Sequence, residues 1–353
     1  MTRRQVEATA EKRQVTRLQL APGARTSHFV DVPKLRIVFM GTPDLACASL
    51  RALAACPDFE VAAVVTQPDR PKGRDLRLLP PPAKVLALEL DLPVLQPEKA
   101  RHESFVAELR RYTPDLIVVA AFGQILPASI LDLPPQGCLN VHTSLLPRYR
   151  GAAPIQWAIL NDDPETGVTI MKVDVGLDTG AIIATQATPI SEADTSQTLH
   201  DRLAEIGAAL LVRTIPGFVS GAIKPTPQPA EGVVYAHKIK KQDGLINWTQ
   251  PARQIWNRIR GLMPWPGAFT HLPSGGKSST SSQPHLLKIW QAEITSESGP
   301  PGEVLSADKT GIVVGCGTGS LRILQLQREG GKRLAPGEFL TGHALRPGHR
   351  FGT

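Results

Sequence analysis

The feature that most constrains this chain is the alternation of apolar strand patterns with helical patterns between residues 35 and about 215. Several of the strand patterns, such as residues 116–121, are apolar at every position rather than at every second one. Continuously apolar strands are typical of a parallel sheet covered by helices on both faces. The sequence therefore predicts an α/β domain with a mostly parallel sheet.

The individual elements are predicted from short apolar runs and from the turn residues between them. Strands are expected at 35–40, 61–66, 94–95, 116–121, 138–142, 168–173 and 181–190, and helices at 44–55, 83–90, 103–111, 153–160 and 198–215. Pro216 is expected to kink or end the last helix, because proline lacks an amide hydrogen. Residues 67–82 hold many prolines and charges and are interpreted as an irregular loop.

The composition changes beyond residue 220. Pro225, Pro227 and Pro229 indicate a linker over residues 221–240. Short β patterns then follow, at 311–315 and 320–327, and predict a small barrel or sandwich. The glycine-rich run 315–319 lies between these two patterns and is interpreted as a hairpin turn rather than a phosphate loop. The expected division is an extension at 1–33, the α/β domain at 34–220, the linker, and a C-terminal domain at 241–353.

The net charge of +7 is unevenly distributed along the chain. Residues 1–34 carry +4, residues 35–240 carry −3 and residues 241–353 carry +6. The basic C-terminal third favours a polyanionic partner, although an ordinary solvated surface explains the charge equally well. Residues 1–33 lack the apolar core of a secretory signal. A disordered extension, a start codon assigned too early and an organelle transit peptide all remain open for them.

The cysteine pattern excludes two classes of site. Cys47, Cys56, Cys138 and Cys316 form no CxxC pair and lie at no zinc-ligand spacing to histidine. A metal site and a disulfide framework are therefore not expected, and a reducing cytoplasm fits the pattern.

The longest apolar run, at 116–126, is too short to cross a bilayer, which requires about 20 residues. No association with a membrane is expected.

Two polar residues at the end of a predicted strand are the first candidates for catalysis. Asn140 and His142 are two positions apart, so their side chains leave the strand on the same face. They lie at its carboxyl end, where open α/β sheets form their ligand crevice. An asparagine amide can donate to a developing oxyanion, and a histidine can accept a proton. The pair suits acyl transfer to an amine, or else caps a loop in a purely structural role.

The turn after the first strand does not support a nicotinamide enzyme. It reads Gly41-Thr42-Pro43 and lacks the glycine pattern that admits a pyrophosphate.

Further along, Asp178 stands between Gly176 and Gly180, which permit a tight loop with a projecting carboxylate. Asp178 is a candidate to orient His142, or it forms an Asx-type turn, and the spacing does not decide between these.

Several segments of the chain resemble the folate-dependent formyltransferases, most closely those that act on methionyl-tRNA. The resemblance rests on RIVFMGTP at 36–43, TQPDRPKGR at 66–74, NVHTSLLPRYRGAAPIQ at 140–156, ETGVTIMKVDVGLDTG at 165–180 and PWP at 264–266. It extends over about residues 35 to 350. The resemblance implies a Rossmann-like formyltransferase domain followed by a C-terminal OB-like β-barrel.

The resemblance also implies a reaction. The formyl group of 10-formyltetrahydrofolate would be transferred to the α-amino group of methionine on initiator tRNA. Asn140 would stabilise the oxyanion, His142 would be the general base, and Asp178 would orient His142. The segment expected to lie against the folate comprises Ser144, Leu145, Leu146 and Pro147. Thr143 departs from the family pattern, in which a smaller residue is usual at that position.

The tRNA would be bound by two basic regions. The family's tRNA-contacting insertion corresponds to loop 67–82, where Arg70, Lys72 and Arg74 can contact phosphates near the acceptor stem. The OB-like domain would assist, and its candidate face on an amphipathic helix consists of Arg253, Arg258 and Arg260 with Trp256, while Ile255 and Ile259 are buried. A monomer without an obligate protein partner is expected.

Two other functions stay open at this point. One is a superfamily enzyme that formylates a small amine or hydrolyses formyl-folate, against which the charged loop and the basic domain argue. The other is a non-enzymatic RNA-binding protein, against which the Asn140, His142 and Asp178 set argues.

Overall fold

The computed structural model describes residues 33–72, 77–272 and 285–352. The strands are β1 (Leu35–Gly41), β2 (Phe59–Val65), β3 (Arg70–Lys72), β4 (Arg77–Leu79), β5 (Val94–Leu95), β6 (Leu116–Ala120), β7 (Cys138–His142), β8 (Arg150–Gly151), β9 (Glu165–Lys172), β10 (Ile182–Pro189), β11 (Tyr235–Ala236), β12 (Ala268–His271), β13 (Leu286–Thr295), β14 (Val304–Asp308), β15 (Gly311–Gly315), β16 (Ser320–Arg328) and β17 (Arg333–Leu334). The helices are α1 (Asp44–Ala55), α2 (Pro82–Glu89), α3 (Glu103–Arg110), α4 (Ala128–Leu131), α5 (Pro154–Leu160), α6 (Ser196–Val219), α7 (Ala252–Gly261) and α8 (Pro336–Gly342), and a short 3-10 helix spans Lys241–Gly244. No helix in the described ranges is long and apolar enough to cross a membrane.

The first sheet has seven strands in the spatial order β10-β9-β7-β6-β1-β2-β5. The pairs from β7 to β5 are parallel, whereas β9 runs antiparallel to both β7 and β10. Alternate residues of β1 enter opposite cores: Ile37 and Phe39 lie in the cluster beneath α1 and α6, and Val38 and Met40 in the cluster beneath α3. The predicted mostly parallel sheet, buried on both faces, is therefore confirmed.

The prediction of an irregular loop was wrong. Residues 67–82 are not irregular throughout, because β3 and β4 pair as an antiparallel hairpin and α2 begins at Pro82. A two-stranded ladder leaves one edge of each strand unpaired, so Pro71 is tolerated within it. Of the two outcomes expected at Pro216, the end of the helix does not occur, because α6 continues to Val219. Burial of Phe218 and Val219 against the sheet core offsets the backbone hydrogen bond that proline cannot make.

The second sheet is antiparallel and lies in the C-terminal region. Its order is β12-β13-β16-β15-β14, with β17 paired to β16. The last residues of the chain bridge its two edge strands, because Gly352 pairs with His271 of β12 and Arg350 pairs with Glu303 beside β14. This bridging agrees with the expected barrel-like architecture. The hairpin turn expected at 315–319 joins β15 to β16.

The proline-rich segment 221–240 is hydrogen-bonded to strand β10 of the first sheet and to β8, which follows β7 in the chain. Thr226 pairs with Ile182, and β11 runs parallel to β8. The amide of Ala152 donates to the carbonyl of Ala236 at 2.9 Å. This segment, called the strap below, therefore crosses the edge of the sheet where the candidate catalytic residues lie.

Candidate active site

Strand β7 carries Asn140 and His142 to the carboxyl-end edge of the first sheet. Asn140 is paired with Val119 of β6 on one side, and His142 lies opposite Thr169 of β9 on the other. The intervening Val141 is buried in the core cluster beneath α6. Alternation along β7 therefore directs Asn140 and His142 away from that core and to one face, as the sequence predicted.

The imidazole of His142 is buried and contacts two groups. Its Nε2 lies 2.9 Å from the carbonyl oxygen of Tyr149, and its Nδ1 lies 3.8 Å from Oδ2 of Asp178. A carbonyl oxygen can only accept, so the neutral ring carries its proton on Nε2. The lone pair is then on Nδ1, on the side of Asp178, and Nδ1 is the atom that can accept a proton.

The side chain of Asn140 is half-buried at the same edge. Its amide makes no hydrogen bond to any residue within the described ranges. A half-exposed amide at a crevice edge is free to donate to a bound molecule. Asn140 and His142 together present a hydrogen-bond donor and a proton acceptor on one face of the sheet.

Residues 143–151, called the β7 loop below, are held by contacts from inside the first sheet. The hydroxyl of Thr169 donates to the carbonyl of Ser144 at 2.7 Å and accepts from the amide of Leu146 at 3.1 Å. The hydroxyl of Ser144 donates to the carbonyl of Arg148 at 2.7 Å. These bonds fold the loop back so that the Tyr149 carbonyl reaches His142.

The candidate folate segment lies in this loop, directly after the catalytic strand. Ser144 and Leu146 are buried, and the hydroxyl of Ser144 is already used within the loop. Leu145 and Pro147 are half-buried. Of the four, Leu145 and Pro147 therefore expose more surface to a ligand. Thr143 is also buried, so its additional volume is accommodated inside the protein.

Asp178 lies in residues 174–180, called the Asp178 loop below, and is directed at the site. Its Oδ2 accepts the amide hydrogen of Gly151 at 2.8 Å while facing Nδ1 of His142. Its backbone is in the left-handed region, with φ at 52°. The Asx-type turn considered for this loop is made by Asp174 instead, whose Oδ1 accepts from the amide of Gly176 at 3.1 Å.

The strap supports the Asp178 loop through Gln228. Nε2 of Gln228 donates to the carbonyls of Asp178 and Gly180, each at 2.8 Å. Oε1 of Gln228 accepts two hydrogen bonds from the guanidinium of Arg150, at 2.7 and 3.0 Å. One side chain of the strap therefore joins the Asp178 loop to the β7 loop.

The basic hairpin β3–β4 leaves the same edge of the sheet. Its base is fixed by Asp69, whose carboxylate accepts from Lys84 at 2.8 Å and from Gln96 at 2.8 Å. Both hydrogen bonds lower the pKa of Asp69, and the one from Gln96 has the larger effect. Arg70 is exposed and forms a surface pair with Glu98 at 3.3 Å. Lys72 is described only in its backbone, within β3, and Arg74 lies outside the described residues.

The arginines of α7 do not form the free basic face expected from the sequence. Arg253 pairs with Asp162 and Glu192, both at 2.8 Å. Arg260 is buried and donates to the carbonyls of Ser191 and Asp194. Arg258 donates to the carbonyl of Asp243, and burial lowers its pKa. Helical periodicity predicted the burial of Ile255 and Ile259 correctly, but it could not reveal that the arginine side chains contact α5 and the loops around Asp162 and Glu192.

Sequence reasoning missed Tyr149 and Gln228, which orient the candidate catalytic groups. Tyr149 contacts His142 through its backbone carbonyl, and a backbone contact leaves no signature in residue types. Gln228 stands in a proline-rich segment whose composition indicated only a spacer. The sequence held one signal for the contact between the strap and the β7 loop, namely Gly151. A Cβ at this position would lie 2.8 Å from the carbonyl oxygen of Ala236, and only glycine permits so close an approach.

The described residues contain no group of three histidine, cysteine, aspartate or glutamate side chains arranged to hold a metal. All four cysteines are free. Burial raises the pKa of Cys138 and of Cys316 to about 12.

Family models match most of the chain. The formyl transferase model matches residues 35–215, and the formyl transferase C-terminal domain model matches residues 238–344. The chain is 51% identical over 318 residues to a methionyl-tRNA formyltransferase of Geobacter sulfurreducens, covering 90% of this chain and 97% of the relative. It is 50% identical over 314 residues to a methionyl-tRNA formyltransferase of Myxococcus xanthus, covering 89% and 96%.

Solved structures share the fold at lower identity. HypX from Aquifex aeolicus, in complex with tetrahydrofolic acid, is 19% identical with a TM-score of 0.57 over 88% of this chain and 48% of its own. An N-formyltransferase from Helicobacter canadensis, in complex with folinic acid and dTDP-3-aminofucose, is 19% identical with a TM-score of 0.58 over 86% of this chain and 100% of its own. At this identity the likeness extends to the fold alone.

Proposed function

Because the chain belongs to the methionyl-tRNA formyltransferases within the formyl transferase family, we propose that it transfers the formyl group of 10-formyltetrahydrofolate to the α-amino group of methionine on initiator tRNA. The observation that carries the chemistry is the pairing of a proton acceptor with a hydrogen-bond donor at one sheet edge. His142 presents Nδ1 and Asn140 presents an amide without a partner in the described ranges. Direct transfer to an amine requires those two groups and no enzyme nucleophile.

His142 acts as the general base in this proposal. Nδ1 accepts a proton from the methionine amine as that nitrogen bonds to the formyl carbon. The imidazolium that forms has its Nε2 proton on the Tyr149 carbonyl and its new Nδ1 proton facing the carboxylate of Asp178. Asp178 stabilises that positive charge, since opposite charges attract strongly at a site of low exposure.

Asn140 acts on the oxygen of the formyl group. Its amide donates to the oxyanion that develops when the amine attacks, and this interaction is stronger in the transition state than with the neutral carbonyl. His142 then returns its proton to the departing nitrogen of the formyl donor as the old carbon–nitrogen bond breaks. The reaction consumes no net proton at the enzyme, so His142 is ready for the next cycle.

The basic hairpin is proposed to bind the acceptor end of the tRNA. Strand β3, which contains Arg70 and Lys72, leaves the carboxyl-end edge that carries the catalytic residues, and Arg74 follows two positions later in the sequence. Guanidinium groups bind phosphate through two parallel hydrogen bonds, which a lysine cannot reproduce. The fixed base at Asp69 and Lys84 gives this hairpin a defined direction relative to His142.

The test is an assay of formyl-methionyl-tRNA formed from 10-formyltetrahydrofolate and charged initiator tRNA. His142→Ala should lower kcat by about 10²- to 10⁴-fold, the range typical of a general base. The matched control is His200→Ala on α6, where the imidazole hydrogen-bonds to the neighbouring Asp201 and activity should be unchanged. Formyl transfer to a small amine but not to charged tRNA would contradict the proposal.

A second variant separates tRNA binding from the chemistry. Arg74→Ala should lower kcat/KM for charged tRNA strongly, and Arg74→Lys should recover little of it. Binding of the folate donor, measured without tRNA, should be unchanged. Loss of folate binding with intact tRNA binding would assign the hairpin to the donor site instead.

A further inference from the structure

We propose that Asp163 is a positioning residue for His142, which it holds in its base-competent tautomer by fixing the β7 loop. Its importance for the reaction rests on the function proposed above, whereas its effect on the tautomer of His142 does not. Asp163 lies outside the set that the sequence pointed to. Three linked contacts connect it to the catalytic group: the end of α5 fixes Asp163, Asp163 holds the β7 loop, and that loop contacts His142.

The backbone at Asp163 is fixed by the way α5 ends. The amide of Asp163 donates to the carbonyl of Ala158 at 3.0 Å, and the amide of Asp162 donates to the carbonyl of Ile159 at 3.0 Å. Asp162 is in the left-handed region, with φ at 58°. This bonding pattern is the Schellman motif that ends many helices. The position of Asp163 is therefore set by a helix packed under the first sheet.

The carboxylate of Asp163 holds two consecutive residues of the β7 loop. It accepts two hydrogen bonds from the guanidinium of Arg148, at 2.7 and 2.9 Å, and one from the hydroxyl of Tyr149 at 2.6 Å. The Tyr149 hydroxyl also accepts from the amide of Asn161 at 3.0 Å. Burial and the Asp163 carboxylate raise the pKa of Tyr149 to about 12, so the phenol remains a donor.

Tyr149 passes this constraint to His142 through its backbone. Its ring is buried, and its φ of 64° is a conformation that a bulky residue adopts only when its surroundings impose it. That conformation presents the carbonyl to Nε2 of His142 at 2.9 Å. If the carbonyl moves away, the proton is free to move to Nδ1, where the Asp178 carboxylate would accept it. The ring would then have no lone pair on the side where the amine is expected.

The adjacent Asp162 provides a matched control. Its carboxylate points to the C-terminal region and pairs with Arg253, not with the β7 loop. Asparagine is also tolerated in the left-handed conformation, so Asp162→Asn should keep the helix end intact. The variants Asp162→Asn and Asp163→Asn therefore make the same chemical change at neighbouring positions and affect different partners.

The primary measurement is the protonation of His142 in protein labelled with ¹⁵N-histidine, by NMR without substrates. The His142 signal is assigned from its absence in His142→Gln. In the wild type and in Asp162→Asn, we expect the proton on Nε2. In Asp163→Asn, we expect a mixture in which the Nδ1-protonated form is substantially populated. A wild-type tautomer in a folded Asp163→Asn protein would overturn the proposal.

Kinetics provide the second measurement. Asp163→Asn should lower kcat for formyl transfer by about 10- to 100-fold, since small displacements of catalytic groups have effects of this size. Asp162→Asn should remain within about twofold of the wild type. Equal losses of kcat in the two variants would make Asp163 a general stabilising residue and contradict the positioning role.

One further variant keeps the test decisive. If Asp163→Asn does not fold, the double variant Arg148→Met/Tyr149→Phe removes both loop partners of Asp163 and should give the same tautomer mixture. A wild-type tautomer there would overturn the proposal equally. Full activity of His142→Ala would refute the proposed function of His142 while leaving the NMR comparison unaffected, so the two failures are distinguishable.

Discussion

The two loops that meet at the candidate active site are held in opposite ways. The β7 loop is largely buried and is fixed by Thr169, a buried residue of β9, and by Asp163, which follows the end of α5. The Asp178 loop is open, with Val175 79% exposed, and is fixed from outside by Gln228 of the strap. His142, which is proposed to act as the base, is joined to the β7 loop. The supporting carboxylate of Asp178 lies in the other loop, whose position depends on the strap, a segment distant in the sequence.

The largest effect is expected at Asn140, on the strand that leads into the β7 loop. Asn140→Ala should lower kcat by about 10²- to 10³-fold, equal to about 2.7–4 kcal/mol, because an oxyanion donor is lost. Asn140→Asp keeps the shape but removes the donor, and should be similarly impaired. KM for the folate donor should change little. A rise in KM with an unchanged kcat would make Asn140 a binding residue.

The next largest effect is expected at the carboxylate of Asp178, in the exposed Asp178 loop. Asp178→Asn should lower kcat by about 10- to 100-fold, because the imidazolium of His142 loses its neighbouring carboxylate. An asparagine oxygen can still accept from the Gly151 amide, so the loop should keep its path. Asp174→Asn is the control in the same loop and should cost clearly less. Equal kcat values for the two variants would remove Asp178 from the mechanism.

The support from the strap is expected to have a smaller effect. Gln228→Met removes its hydrogen bonds to both loops and should lower kcat by about tenfold, because a displacement of about 1 Å at a catalytic group costs up to about 10²-fold in rate. Gln228→Glu can still accept from Arg150 but cannot donate to the carbonyls of Asp178 and Gly180. It should therefore be as impaired as the methionine variant. Wild-type kcat for Gln228→Glu would show that the Asp178 loop does not depend on the strap.

The smallest effect on kcat is expected at α7. Arg260→Met should lower the free energy of unfolding by about 1–3 kcal/mol, because the buried carbonyl of Asp194 and the partly buried carbonyl of Ser191 lose their donor. The kcat of the folded enzyme should be unchanged. Urea unfolding and the transfer assay measure the two quantities separately. Weaker tRNA binding with unchanged stability would instead support the basic face that the sequence suggested for this helix.

Much of the first region was predictable because its signals are local. Strand β7 begins and ends at the predicted residues, and α1 spans its predicted range, because apolar periodicity and flanking turn residues specify both. The face shared by Asn140 and His142 follows from strand alternation alone. The hairpin β3–β4 was not predictable, because strands of three residues are too short to show an alternating hydrophobic pattern.

The sequence by itself determined the fold class, the family and the identity of Asn140, His142 and Asp178 as candidates, since residue types and their spacing encode these directly. The tertiary structure alone decided which nitrogen of His142 is free, which residues support the two loops and where the arginines of α7 point. Those features depend on a backbone carbonyl at Tyr149, on a helix end at Asp163 and on the docking of α7. They arise when segments distant in sequence pack together, and no local pattern of residues records that packing.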